Sequence, residues 1–93
     1  MNVETVAVTG AGTSAVTKVI PSSPFNIGFG VVVSGSATYT IEHTFDGVNF
    51  YSHEVLVAKT DNQDGNYAFP VAGIRINLTS GAGTVTLTAI QAG

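Results

Sequence analysis

His43 and His53 are the side chains of this chain best suited to hold or release a proton near neutral pH, and they flank an Asp46-Gly47 turn signal. If the flanking segments pair through a five-residue loop from Asp46 to Phe50, then Phe45 faces Tyr51, His43 faces His53, Ile41 faces Val55 and Tyr39 faces Val57. Directly opposed residues of a ladder have Cβ atoms ~5 Å apart, close enough for two imidazoles to share a metal or to repel once both are charged. A shorter loop would put them on opposite faces. A metal site also needs a third ligand, which no spacing supplies, so no metal is expected and the two histidines stand as a candidate pH-sensitive pair. The simpler alternative is two neutral, hydrogen-bonded histidines.

The remaining chemistry is thin. There is no cysteine, which excludes thiol catalysis and cysteine-based metal sites, and no serine lies in a G-x-S-x-G turn. The six acids, Glu4, Glu42, Asp46, Glu54, Asp61 and Asp64, show no catalytic spacing. Gly10-Ala11-Gly12-Thr13-Ser14-Ala15 has the outline of a dinucleotide fingerprint. The helix that must follow is replaced by the β-branched run TSAVTKVIP, so these glycines are read as a tight turn. Asp61, Asn62 and Asp64-Gly65 resemble part of a calcium loop, but Thr60 and Val71 would occupy two essential ligand positions. Asn77-Leu78-Thr79 is a formal glycosylation sequon that reads more simply as strand. We therefore expect no enzyme, no cofactor and no catalytic residue.

Aromatic residues offer binding rather than catalysis. Phe25, Phe29, Phe50, Tyr51, Tyr67 and Phe69 gather near segment ends and, with the Pro21 corner, are candidate interface residues. A carbohydrate-binding adhesion module would use Tyr51, Tyr67 or Phe50 as stacking platforms instead.

The elements that position these residues are strands. Asn2–Thr9 and Thr13–Ile20 are β-branched runs joined by Gly10-Ala11-Gly12 and predict a first hairpin. Pro21 and Pro24 break the ladder. Phe25–Val33 predicts a strand covered on both sides or bent by a bulge, and Ala37–Ala58 a long central hairpin. The polar run Lys59–Asn66 predicts a mobile surface loop, and Tyr67–Phe69 a short strand before Pro70. Val71–Thr79 places Ile74, Ile76 and Leu78 inward, and after Gly81-Ala82-Gly83 the next strand places Val85, Leu87 and Ala89 inward, as a terminal hairpin. No window carries helical periodicity. Seven or eight strands at intervals of about ten residues predict an all-β antiparallel sandwich, jelly-roll-like in outline.

Residues 1–93 are one domain by length. Only 10% of residues are charged, against about 25% in ordinary soluble domains, so much of the surface is expected to be covered by a partner or by further copies as a dimer or trimer. With Lys18, Lys59 and Arg75 as the sole basic side chains and a formal charge of −3, nucleic-acid binding is disfavoured. No apolar run approaches a membrane span and no charged n-region precedes an apolar one, so a soluble, unprocessed chain is expected.

Two stretches, TYTIEHTFDGVNF and GNYAFPVAGIRINLTSGAGTVTLTAIQAG, resemble small all-β virion proteins of tailed bacteriophages. Such chains carry a Y-T-I/V-E/Q-H-T strand before an acidic turn, here Tyr39–Thr44. They close on P-x-x-x-I-R-x-N-x-T-S-G-x-G-x-V-T-L-T, here Pro70–Thr88. Members often have a tryptophan or an insertion after the acidic turn, where this chain has Asn49-Phe50-Tyr51. The resemblance implies a head decoration or cement protein, made in the bacterial cytoplasm and bound to the outer surface of the major capsid protein lattice, or a tail or neck component.

Overall fold

The computed structural model describes residues 1–20 and 25–91, which form eight strands and no helix. The strands are β1 (Asn2–Thr9), β2 (Gly12–Thr13), β3 (Ile27–Ser34), β4 (Thr38–Thr44), β5 (Phe50–Ser52), β6 (Gln63–Tyr67), β7 (Gly73–Ser80) and β8 (Thr84–Gln91). They build two antiparallel four-stranded sheets with orders β1-β8-β3-β6 and β2-β7-β4-β5. The pairs β1·β8, β2·β7, β3·β6 and β4·β5 are successive rungs of one long antiparallel ribbon. Rolling that ribbon so that β3 meets β8 and β4 meets β7 closes the two sheets, and the result is the jelly-roll arrangement.

This connectivity corrects two of the expected hairpins. β1 does not pair with the segment after Gly12; it pairs along its length with β8, from Asn2↔Gln91 to Thr9↔Thr84. β7 and β8 likewise lie in different sheets, and the chain changes sheets through Gly81-Ala82-Gly83. The glycines allow a crossing that other residues would block: Gly81 has φ +102°, and a Cβ on Gly83 would sit 2.6 Å from the Ser34 carbonyl oxygen. Ser14 to Ile20 then straps the two sheets together. The Ser14 and Thr17 amides donate to the Ile76 and Ile74 carbonyls at 2.9 and 2.8 Å, and the Ile20 amide donates to the Gln91 side chain at 2.9 Å.

Side-chain alternation assigned the faces of β4, β7 and β8. By contrast β3, expected to be covered on both sides or bent by a bulge, pairs without a register shift and leaves Gly28 and Val32 exposed because one of its faces is open. Ile27, Phe29 and Val31 of β3, Tyr39 and Ile41 of β4, Ile74, Ile76 and Leu78 of β7, and Val85, Leu87 and Ala89 of β8 fill the space between the sheets. Each such burial contributes about 1.5–3 kcal/mol for a full-sized apolar side chain. The Lys59–Asn66 run is not a loop throughout, because Gln63–Asn66 belong to β6 and pair with β3. Tyr67 ends that strand, and Ala68 and Phe69 lie beyond it.

The second arm of the central hairpin also departs from expectation. Glu42 pairs with Ser52, His43 with Tyr51 and Thr44 with Phe50, two residues out of the expected register. The arm then leaves the ladder. Ile41 accepts from the His53 amide at 2.7 Å and donates to the Leu56 carbonyl at 2.9 Å, so one residue of β4 is served by two residues three positions apart. Pairing resumes at Tyr39↔Lys59 after Ala58, whose φ is +52°. The excursion reverses the expected faces: Leu56 is buried, whereas Val55 and Val57 are exposed.

Candidate functional site

In this antiparallel roll the β4–β5 and β6–β7 connections reach the same end of the sandwich, and most of the aromatic residues meet there. At the centre is Tyr67, 1% exposed, whose hydroxyl shares a 2.9 Å hydrogen bond with His43 Nδ1. Burial, and secondly the charge of Glu42, raise the Tyr67 hydroxyl above its ordinary proton affinity, so it stays a neutral phenol. Four rings surround it. His43, His53, Phe69 and Phe29 have centroids 4.9, 5.1, 5.4 and 5.7 Å from that of Tyr67.

His43 and His53 are therefore not cross-strand partners, and the expected direct pairing is overturned by the register. They are brought to one cluster through Tyr67, and each is buried. His43 is lowered from its ordinary proton affinity, first by burial and then by the proximity of His53. His53 is fixed by three main-chain contacts. Its Nδ1 accepts from the Val55 and Leu56 amides at 3.1 and 3.2 Å, and its Nε2 lies 3.3 Å from the Asn66 carbonyl. Those partners define the neutral tautomer with the proton on Nε2.

Phe45, Tyr51 and Phe69 stand around His43 with centroid distances of 5.4, 5.9 and 5.5 Å. All three are about half exposed, which makes this end an open aromatic surface. The turn beneath it is rigid. Asp46 Oδ1 accepts from the Val48 and Asn49 amides at 2.8 Å each, and Thr44 Oγ1 accepts from the Gly47 amide at 2.8 Å. The Asn49 and Val48 amides hold the Asp46 carboxyl well below the usual carboxylate range. Beside the cluster a cleft of about 280 Å³ is lined by His43, Ser52, His53, Glu54, Asn66, Tyr67, Ala68 and Phe69.

The expected interface residues divide by burial. Tyr51 and Phe69 are exposed, and Phe25 is half-buried against the core. Phe29 and Tyr67 are interior, so they support the site without offering surface. Phe50 lies on the outer face of its sheet, where the Arg75 guanidinium covers its ring at 3.5 Å. Arg75 is held there by Glu42 at 2.8 Å, whose other oxygen accepts from Asn77 Nδ2 at 3.2 Å. Pro21 lies outside the described residues.

Sequence reasoning passed over Phe45 and Glu54 as site residues. Phe45 was findable, since it shares the parity of His43 next to the turn. Glu54 gave no signal, because its position depends on the excursion at His53.

Among the described residues no group of three or more histidines and acids could hold a metal. The run Asp61–Gly65 is used otherwise: Asn62 Oδ1 accepts from the Val33 amide at 2.9 Å, Asp61 Oδ1 accepts from Gln63 Nε2 at 2.8 Å, and Asp64 and Gly65 are strand residues.

No family model, curated protein or solved structure matches this chain.

Proposed function

We propose that this chain is a non-enzymatic structural protein of a tailed-phage particle, fastened to the outer surface of the head lattice as a decoration or cement protein. The observation that carries this reading is the outer face of the β1-β8-β3 sheet. Across β1, β8 and β3 its side chains are Val3, Thr5, Ala7 and Thr9, then Thr84, Thr86, Thr88 and Ile90, then Gly28, Gly30, Val32 and Ser34, with no charge among them; the charge on this face, Asp64, lies on the edge strand β6. Val3, Val32 and Ile90 are about half exposed. A free monomer tends to carry charges on such a face for solubility, so an uncharged one suits a surface covered in the working assembly.

Further support comes from the aromatic end. Phe45, Tyr51 and Phe69 provide ring anchors of the kind that dominate protein interfaces. The fold is also used by viral capsid proteins, although it serves lectins as well and carries no function by itself. A net charge of −3 suits an external position better than one against packaged DNA.

The test is binding to heads that lack the protein. Added chain should co-sediment with them and raise the temperature at which they release their genome, because a ligand of the assembled lattice stabilises it in proportion to RT ln(1 + [L]/Kd). Heads that neither retain the chain nor gain heat resistance would reject the cement role. Retention by tails alone would place it elsewhere in the particle.

A further inference from the structure

The cleft beside Tyr67 has a composition that selects its occupant. Tyr67 is the deepest ring, and His43, His53 and Phe69 stand on it at interplanar angles of 65°, 81° and 84°. These rings pack directly on one another, and Phe69 is the one that presents an open face to the cleft. Phe69 is half exposed at its mouth, and Glu54 lines the same opening. Among the described residues the Glu54 carboxylate has no ion-pair partner, and no lysine or arginine lines the cleft. Arg75, on the same sheet as His43, is already committed to Glu42 and Phe50.

We propose that this cleft takes a cationic side chain, a lysine ammonium or an arginine guanidinium, presented by the protein to which this chain docks. Aromatic faces attract a cation through their quadrupoles, and the attraction grows as water is excluded. Glu54 supplies the counter-charge at the mouth, and Ser52 and Asn66 supply oxygens for the remaining N–H donors. The whole chain, at −3, draws a basic partner segment toward it.

Other occupants fit less well. An anion would meet Glu54 with no compensating cation. A sugar needs a broad exposed ring face, and in the cleft Tyr67 is covered while Phe69 alone is open. A purely apolar side chain would cover the Glu54 carboxylate without a partner. A neutral His43 imidazole beside the cleft does not repel an incoming cation. Burial, and secondly His53, hold it so; Glu54 from the segment after β5, Tyr51 from β5, Tyr67 from β6 and Glu42 on β4 itself are the other titratable groups around it.

This inference names the chemistry of the partner and rests on the reading above only for which particle supplies it. It can be tested on the isolated chain. Labelled protein is titrated at pH 7.5 with N-acetyl-arginine amide and N-acetyl-lysine amide, and NMR shifts of the His43, His53, Phe69 and Asn66 signals are followed. N-acetyl-norleucine amide, the uncharged counterpart of the lysine stem, and methyl glucoside serve as controls. Saturable shifts are expected with both cations, at least about tenfold tighter than with norleucine amide. Glu54→Gln and Phe69→Leu, both at exposed positions, should each weaken the cations by about threefold to tenfold without unfolding the chain. Equal binding of the uncharged amide, binding of the glucoside alone, or no effect of either substitution would overturn the proposal. A cation-binding chain that ignores phage heads would leave the cleft assigned and reject the cement role.

Discussion

The His53 ring does for its turn what an Asx side chain does elsewhere. Asp46 accepts from the amides two and three residues ahead, Val48 and Asn49, and His53 Nδ1 accepts from the amides two and three ahead, Val55 and Leu56. That equivalence makes a prediction. His53→Ala should leave those amides without their acceptor and cost about 1–3 kcal/mol, whereas His53→Asn should recover much of the loss because its amide oxygen reaches the same donors. Urea unfolding of the three chains measures this. Equal losses for alanine and asparagine would show that ring packing against Phe29 and Tyr67 matters more than the main-chain contacts. The sequence hid this role, since a histidine in a strand-like run carries no turn signature and its neighbours Val55, Leu56 and Val57 alternate as a strand would.

Alternation names the inward residues of a strand but not its neighbours, and that is why faces were legible while pairings were not. Ile74, Ile76, Leu78, Val85, Leu87 and Ala89 point inward as their spacing demands. The terminal hairpin they suggested does not exist, because β7 and β8 lie in opposite sheets and pair with other strands. β6 escaped notice for a different reason: Gly65 occupies an inward position where an apolar residue would have marked the strand. A Cβ there would lie 3.0 Å from the Phe29 ring, so the absent side chain makes room for that ring. The sheet crossing is testable at this scale. Gly83→Ala would drive a methyl group against the Ser34 oxygen at 2.6 Å and the Ser36 amide nitrogen at 2.9 Å, backbone atoms that cannot swing away. A loss of about 1–3 kcal/mol is expected. Gly28→Ala, with open space around the added methyl, serves as the control and should stay within about 0.5 kcal/mol of the parent. Equal stability of the two variants in thermal melts would contradict this account of the crossing.

For the whole molecule, two titrations should shape the dependence of stability on pH. The unfolded chain protonates His43 near its ordinary value of about 6.5, while the folded chain does so only at lower pH. Between those values the unfolded state binds more protons, so stability present at pH 7 is lost as pH falls below about 6.5. Asp46 acts in a separate window. Its carboxyl is depressed by the turn amides, so its contribution is present above the unfolded value of about 3.9 and is lost as pH falls below it. Melting temperatures from pH 7.5 to 5 should decline in the parent and flatten in His43→Phe; an unchanged slope in that variant would remove His43 as the cause. The site was only partly legible at this scale. Tyr51, Phe69 and the two histidines could be named in advance, but their meeting around Tyr67 depends on which strands the roll brings together.

The placement of β8 sets when this molecule can form. It is made after the other seven strands, yet among the described residues it lies between β1 and β3 and is the one partner β1 has in its sheet. Until Gln91 has cleared the ribosome, one sheet is split and Val6 and Val8 lack the covering they have in the finished core. A growing chain therefore leaves β1 without its sheet neighbour until β8 is made, and the pairing joins strands far apart in the chain.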